Sequence, residues 1–143
     1  MRDQLQTIVV PVDFGAASAN AIALAGDLAR ACEAGLHVMH AESLDAPPYF
    51  TASQVEALER ERQLARAQAH DYLRDFAQQR TSSTFTTAIV ERPVVEAVAA
   101  AAPQTDLIVM GTHGRTAMGT LLLGSVADRV VRLADGRVAA EER

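Results

Sequence analysis

Positive charge is in short supply in this sequence. Thirteen Lys and Arg residues stand against eighteen Asp and Glu, which leaves a net charge of -5 and a pI near 5.3. A broad nucleic-acid-binding face needs clustered cations, so no nucleic-acid partner is expected. Arginines do gather between Arg60 and Arg80, but Glu and Asp are interleaved with them, and the run reads as a solvated helix face. Cysteine is nearly missing as well. Cys32 alone excludes an internal disulfide, and its place in a helical apolar pattern marks it as packing rather than chemistry. Trp is absent, and aromatic residues make up only 4% of the chain. No segment approaches the roughly 18 to 20 continuous apolar residues that span a bilayer. The N-terminus reaches a short strand without the basic region and long apolar run of a signal peptide. No membrane association is therefore expected, and the cytoplasm is the expected compartment. Metal-ligand spacing is lacking too, with no Cys pair, no H-E-x-x-H and no Asp-rich calcium loop.

What is present fits one folded domain over residues 1–143, with 49% hydrophobic residues. Apolar residues arrive in short β-branched bursts separated by helical patterns. Ile8 to Val10 is too short and continuous for an amphipathic helix and reads as a strand buried on both faces. Ala21, Leu24, Ala25, Leu28, Ala29 and Cys32 then repeat at helical spacing, and Gly35 reads as the stop. Leu36 to Ala41 is the second strand, and a Pro-containing loop over Ser43 to Phe50 follows it. A long helix is expected over Ala52 to Arg80, with Val55, Leu58, Ala65, Ala69, Tyr72, Leu73 and Phe76 as its buried stripe. Thr84 to Val90 is a third strand, Val94 to Ala102 a third helix between Pro93 and Pro103, and Leu107 to Val109 a fourth strand. A final helix is expected over about Gly119 to Leu133. This alternation predicts an α/β fold: an open, mainly parallel sheet with helices on both faces. Ligands of such sheets bind beyond the carboxyl ends of the strands, which draws attention to Asp13, Ala41, Glu91 and Gly111.

The most informative stretch begins where the fourth strand ends. Gly111 and Gly114 let the backbone turn and approach a ligand closely, and Gly124-Ser125 adds a second close approach with a hydroxyl. Backbone N–H groups and a serine hydroxyl can hold phosphate oxygens without a cationic side chain. The same glycines would also serve a strand-to-helix turn and close helix packing. There is no G-x-x-x-x-G-K-[ST] and no G-x-G-x-x-G after the first strand, which argues against P-loop NTPases and dinucleotide dehydrogenases. Asp13 has two readings, a ligand contact or a cap on the first helix; Ser18 could also cap, which favours the ligand contact.

Gly111-x2-Gly114-x9-Gly124-Ser125 resembles the ATP-binding signature of the universal stress protein family. Thr112-His113-Gly114-Arg115 and Gly124-Ser125-Val126-Ala127 resemble the wording around it, Ile8 to Phe14 the family's opening strand and aspartate, and Leu36 to Ala41 its second strand. The likeness runs in order from about Thr7 to Leu133. It implies an adenine nucleotide α-hydrolase-like fold and ATP as the ligand, with any Mg2+ brought by the nucleotide. By position, Asp13 and the Ala41 backbone would read the adenine edge, and Pro11 and Met110 would line the base pocket. Gly111, Thr112 and His113 would lie near the ribose, and Gly114, Gly124, Ser125 and Val126 would bind the phosphates.

Two departures from the family set further expectations. Ala41 stands where the family usually has a larger apolar residue, and the family's Val- and Pro-rich fifth strand has no counterpart in Leu133 to Arg143. Asp135 to Arg143 is therefore expected to be a weak edge strand or disordered, and a homodimer to form through a surface other than a paired fifth strand. No nucleophile-base-acid set emerges: His37 and His40 lie on a core strand, His70 on the long helix, and only His113 lies in the nucleotide stretch, where contact with phosphate or a hydrolytic water is the less favoured of its readings. The expected function is thus a nucleotide-dependent stress-response or regulatory module. The alternatives are a slow ATP-hydrolysing or nucleotidyl-transferring enzyme of the same fold and, with no flavin-specific feature to support it, a flavin-binding electron carrier.

Overall fold

The computed structural model describes residues 4–43, 45–111 and 137–141. Within them the chain runs β1 (Thr7–Pro11), α1 (Ala16–Cys32), β2 (Gly35–Ala41), α2 (Ala52–Gln78), β3 (Thr86–Val90), α3 (Val94–Ala101), a 3-10 turn at Ala102–Gln104, β4 (Leu107–Gly111) and β5 (Arg137–Glu141). The strands form one parallel sheet in the order β3-β2-β1-β4-β5. The expected α/β architecture is what the chain adopts. Residues 112–136, which include the anticipated final helix, lie outside the described residues.

Side-chain alternation along the strands sorts the core into two layers. Ile8, Val10, Leu36, Val38 and Val109 face α1 and α2, where they meet Ala21, Ile22, Ala25, Leu73 and Phe76. Val9 and Met39 pack on Ala97 of α3, and Ile108 and Met110 on its Val95 and Val98. Strands covered on both faces explain why their sequences are continuously apolar rather than alternating.

Three boundaries differ from the sequence reading. Helix α1 ends through Glu33, at φ 54°, with the Ala34 N–H returning to the Ala29 carbonyl (2.9 Å), while Gly35 opens β2 instead of closing the helix. A non-glycine residue in the left-handed region does the job expected of the glycine. In α2 the stripe is buried only at its C-terminal end. Leu73 and Phe76 are inside, whereas Val55 is 42% and Tyr72 60% exposed. Length explains this: 27 residues of helix span about 40 Å, whereas strands of this size run only about 17 to 23 Å. The helix starts beyond the carboxyl end of β2 and overhangs the sheet there, its first turn held by a reciprocal Thr51–Gln54 capping box.

The third difference is the tail. Arg137–Glu141 is a paired strand, parallel to β4, in register from Leu107↔Arg137 to Gly111↔Glu141. Of the two expectations for the tail, a weak edge strand or disorder, the strand is what forms over these residues, although it lacks the family's Val- and Pro-rich wording. Strand preference depends on the surface a segment meets, and β4 offers an open edge whose backbone groups need partners. A five-residue segment without Pro or Gly suffices.

Candidate functional site

The chain order reverses at β1. Connections through α1 and α2 carry the chain outward to β2 and β3, and the connection through α3 carries it back across β1 to β4. In an open parallel sheet this switch point is where ligands bind, outside the carboxyl ends of the strands. Pairing shows the opening directly. Five residue pairs join β1 to β2, up to Pro11↔Met39, but the β1–β4 ladder holds only Ile8↔Leu107 and Val9↔Ile108. Toward their carboxyl ends β1 and β4 are no longer laddered together.

The residues singled out in the sequence surround this gap where the structure describes them. Pro11 closes β1 and is buried, Ala41 closes β2, and Met110 and Gly111 close β4. Ala41 packs with Val9 and Met39, and Met110 with Ile108 and Val95, all on the α3 side of the sheet. Alternation from Val9 sets Pro11 on that side too. Three adjacent strands thus present Pro11, Ala41 and Met110 on one face at one end. Gly111 faces the other way. A Cβ built on it would stand 2.6 Å from the Ala17 Cβ, so its lack of a side chain lets the end of β4 lie against the start of α1. Thr112, His113, Gly114, Gly124, Ser125 and Val126 fall outside the described residues.

Asp13 sits in the β1–α1 turn, in a local network. Its Oδ1 accepts hydrogen bonds from the Gly15 N–H (2.9 Å) and the Ser18 hydroxyl (2.8 Å), and the same hydroxyl accepts the Asp13 N–H (3.0 Å). The helix-cap role in its simple form is not seen for either residue: Gly15 is the N-cap of α1, without a side-chain cap bond. Ser18 is 5% exposed and fixes both the backbone and the carboxylate of Asp13. Ser18→Ala is expected to cost roughly 1 kcal/mol, because the partly buried Asp13 N–H and carboxylate both lose a partner. A thermal unfolding midpoint equal to that of the parent would contradict this role.

Sequence reasoning missed what surrounds this turn. Phe14 adopts φ 65°, a conformation that bulky residues avoid and that concentrates at functional sites. Its ring meets His40 (4.6 Å between centroids), Tyr72 (4.8 Å) and Phe76 (5.4 Å), which holds the turn in place. His40, read from the sequence as a core-strand residue, lies with one ring nitrogen 2.8 Å from the Val12 carbonyl oxygen and the other 2.9 Å from Glu42 Oε1. It ties the end of β2 to the end of β1. The usable signal for Ser18 was its five-residue spacing from Asp13; none existed for Phe14. Glu91, also beyond a strand end, is ion-paired with Arg66 of α2. Among the described residues no group of His, Cys, Asp and Glu is arranged to hold a metal ion, and no helix is long and apolar enough to cross a membrane.

The model of the universal stress protein family matches residues 4–140. Among solved structures, the chain is similar to the universal stress protein UspA from Lactobacillus plantarum, at 25% identity and TM-score 0.78, covering 98% of this chain and 99% of that one. A universal stress protein solved in complex with cAMP is 27% identical, with TM-score 0.66 and 98% of both chains covered. One from Archaeoglobus fulgidus, in complex with dAMP, is similar in fold at 16% identity and TM-score 0.65, over 96% of this chain and 98% of that one. No curated protein matches by sequence.

Proposed function

The chain belongs to the universal stress protein family, and from that premise we propose that it is an ATP-binding stress-response or regulatory module. The observation that carries this reading is the placement of Pro11, Ala41 and Met110 on one sheet face, beside the gap where the β1–β4 ladder stops. Relatives that hold cAMP and dAMP support an adenine nucleotide as the ligand. In this reading Asp13 and the Ala41 backbone read the adenine edge, and Pro11 and Met110 wall the base pocket. Gly111, Thr112 and His113 lie along the ribose; Gly114, Gly124, Ser125 and Val126 take the phosphates, and Mg2+ arrives with the nucleotide.

Composition supports phosphate binding by backbone. The sequence contains no lysine, so a P-loop lysine is not at hand, and N–H groups with the Ser125 hydroxyl supply donors in this reading. ATP occupancy then changes shape or partners rather than fuelling turnover, in the cytoplasm. The sheet ends on β5, whose outer edge has no neighbouring strand among the described residues. The proposed homodimer forms through a surface other than paired fifth strands, and light scattering over a concentration series tests it; a monomer throughout refutes it.

Identifying the nucleotide that co-purifies with the protein tests the reading as a whole. ATP bound without ADP release supports the module, and steady turnover would assign an enzyme instead. Asp13→Ala is expected to weaken ATP binding by about tenfold or more while leaving GTP binding, which lacks the adenine contact, nearly unchanged. Equal losses for both nucleotides would return Asp13 to a purely structural role.

A further inference from the structure

A second cavity, of about 170 Å³, lies where the overhanging half of α2 passes the carboxyl ends of β2 and β3. It is separate from the face that carries Pro11, Ala41 and Met110: its apolar wall is Ile89, which packs on the α1–α2 side, together with Ala65. Two guanidinium groups, Arg62 and Arg66, stand one helical turn apart on α2, facing Glu42, Asp45 and Glu91 from the strand ends and the following loop.

The partners of these groups are unevenly satisfied. Arg66 is paired with Glu91, and Glu42 with His40. Arg62 has only a long contact to Glu59, 3.9 Å from its terminal nitrogen, and its Nε is shut off from solvent without a hydrogen-bond partner among the described residues. At 3.9 Å the Glu59 contact leaves the terminal nitrogens of Arg62 without a close carboxylate among the described residues. The planar fork of arginine suits a carboxylate, which can take two of its N–H groups at once. Three carboxylates against two guanidiniums make the cavity unfavourable for a bare anion, above all a phosphate dianion, because like charges at this range repel. A ligand that brings its own positive charge removes the conflict.

We propose that this cavity binds a small zwitterion carrying a carboxylate and an ammonium group, of the size and chemistry of a free α-amino acid. The carboxylate engages the terminal nitrogens of Arg62, whose side chain is 21% exposed, the ammonium meets Asp45 and the remaining oxygen of Glu42, and a short side chain rests on Ala65 and Ile89. The volume is below that of pockets for drug-sized ligands and suits a molecule of this size. The site is independent of the nucleotide reading.

The test is calorimetric titration of the full chain with each common amino acid, with N-acetylated amino acids, amino-acid amides and inorganic phosphate as controls. At least one free amino acid is expected to bind saturably, and its acetylated and amidated forms at least about tenfold more weakly. Arg62→Gln is expected to weaken the same amino acid by about tenfold or more, with an unchanged circular dichroism spectrum and unchanged ATP binding. No binding by any amino acid, equal binding of the blocked forms, binding of phosphate alone, or undiminished binding by Arg62→Gln would each overturn the proposal.

Discussion

Replacing Gly111 by valine is expected to destabilise the protein by roughly 3 kcal/mol or more and to remove nucleotide binding with it. A Cβ at this position would stand 2.6 Å from the Ala17 Cβ and 3.4 Å from the Ala17 carbonyl carbon. The obstacle is the Ala17 Cβ, which is fixed to the helix backbone and cannot rotate aside, so β4 and α1 must separate. Overpacking of this kind costs about 1 to 3 kcal/mol and sometimes more, and a branched side chain adds two methyl groups to the clash. The displaced strand end is the one that begins the glycine-rich stretch, so binding fails even in the fraction that remains folded. Gly111→Ala should show the same defect in smaller measure. Chemical denaturation measures the stability change; a valine variant as stable as the parent would mean that α1 yields without cost.

Gly124→Val is expected to separate binding from folding. The residue lies outside the described residues, so the expectation rests on the spacing Gly111-x2-Gly114-x9-Gly124-Ser125 and its resemblance to the family's ATP-binding signature. If phosphates approach the backbone at this glycine, a branched side chain fills their place. ATP affinity should then fall at least about 100-fold, equivalent to roughly 2.7 kcal/mol, with the thermal midpoint of the ligand-free protein nearly unchanged. Calorimetry with ATP and magnesium measures it. Undiminished affinity in a folded variant would assign Gly124 to helix packing.

How far the sequence could be read depended on whether local chemistry or distant neighbours decided each element. Ile8 to Val10 and Leu107 to Val109 were legible as buried parallel strands because continuous apolar runs require cover on both faces. That placed Pro11, Asp13, Ala41 and Gly111 at the strand ends, and so located the crevice. The tail was not legible. Arg137–Glu141 has one β-branched residue, Val138, and its pairing depends on the β4 edge some thirty positions earlier. Burial along α2 was overread for a similar reason: the apolar spacing of Val55 and Tyr72 is helical, but the sheet ends before the helix does. The network around Asp13 was half visible. Ser18 was noticed as a capping group, whereas the left-handed Phe14 and its contact with His40 arise only when β1, β2 and α2 are brought together.

The most direct test of the central claim, that the switch-point crevice holds an adenine nucleotide, is calorimetric titration of the purified chain with ATP and magnesium, repeated with GTP. One saturable ATP site per chain is expected, with GTP weaker by about tenfold or more, because a site built to pair with the adenine edge leaves groups unmatched against guanine. A folded protein that takes up no ATP, or binds the two nucleotides equally, would contradict it.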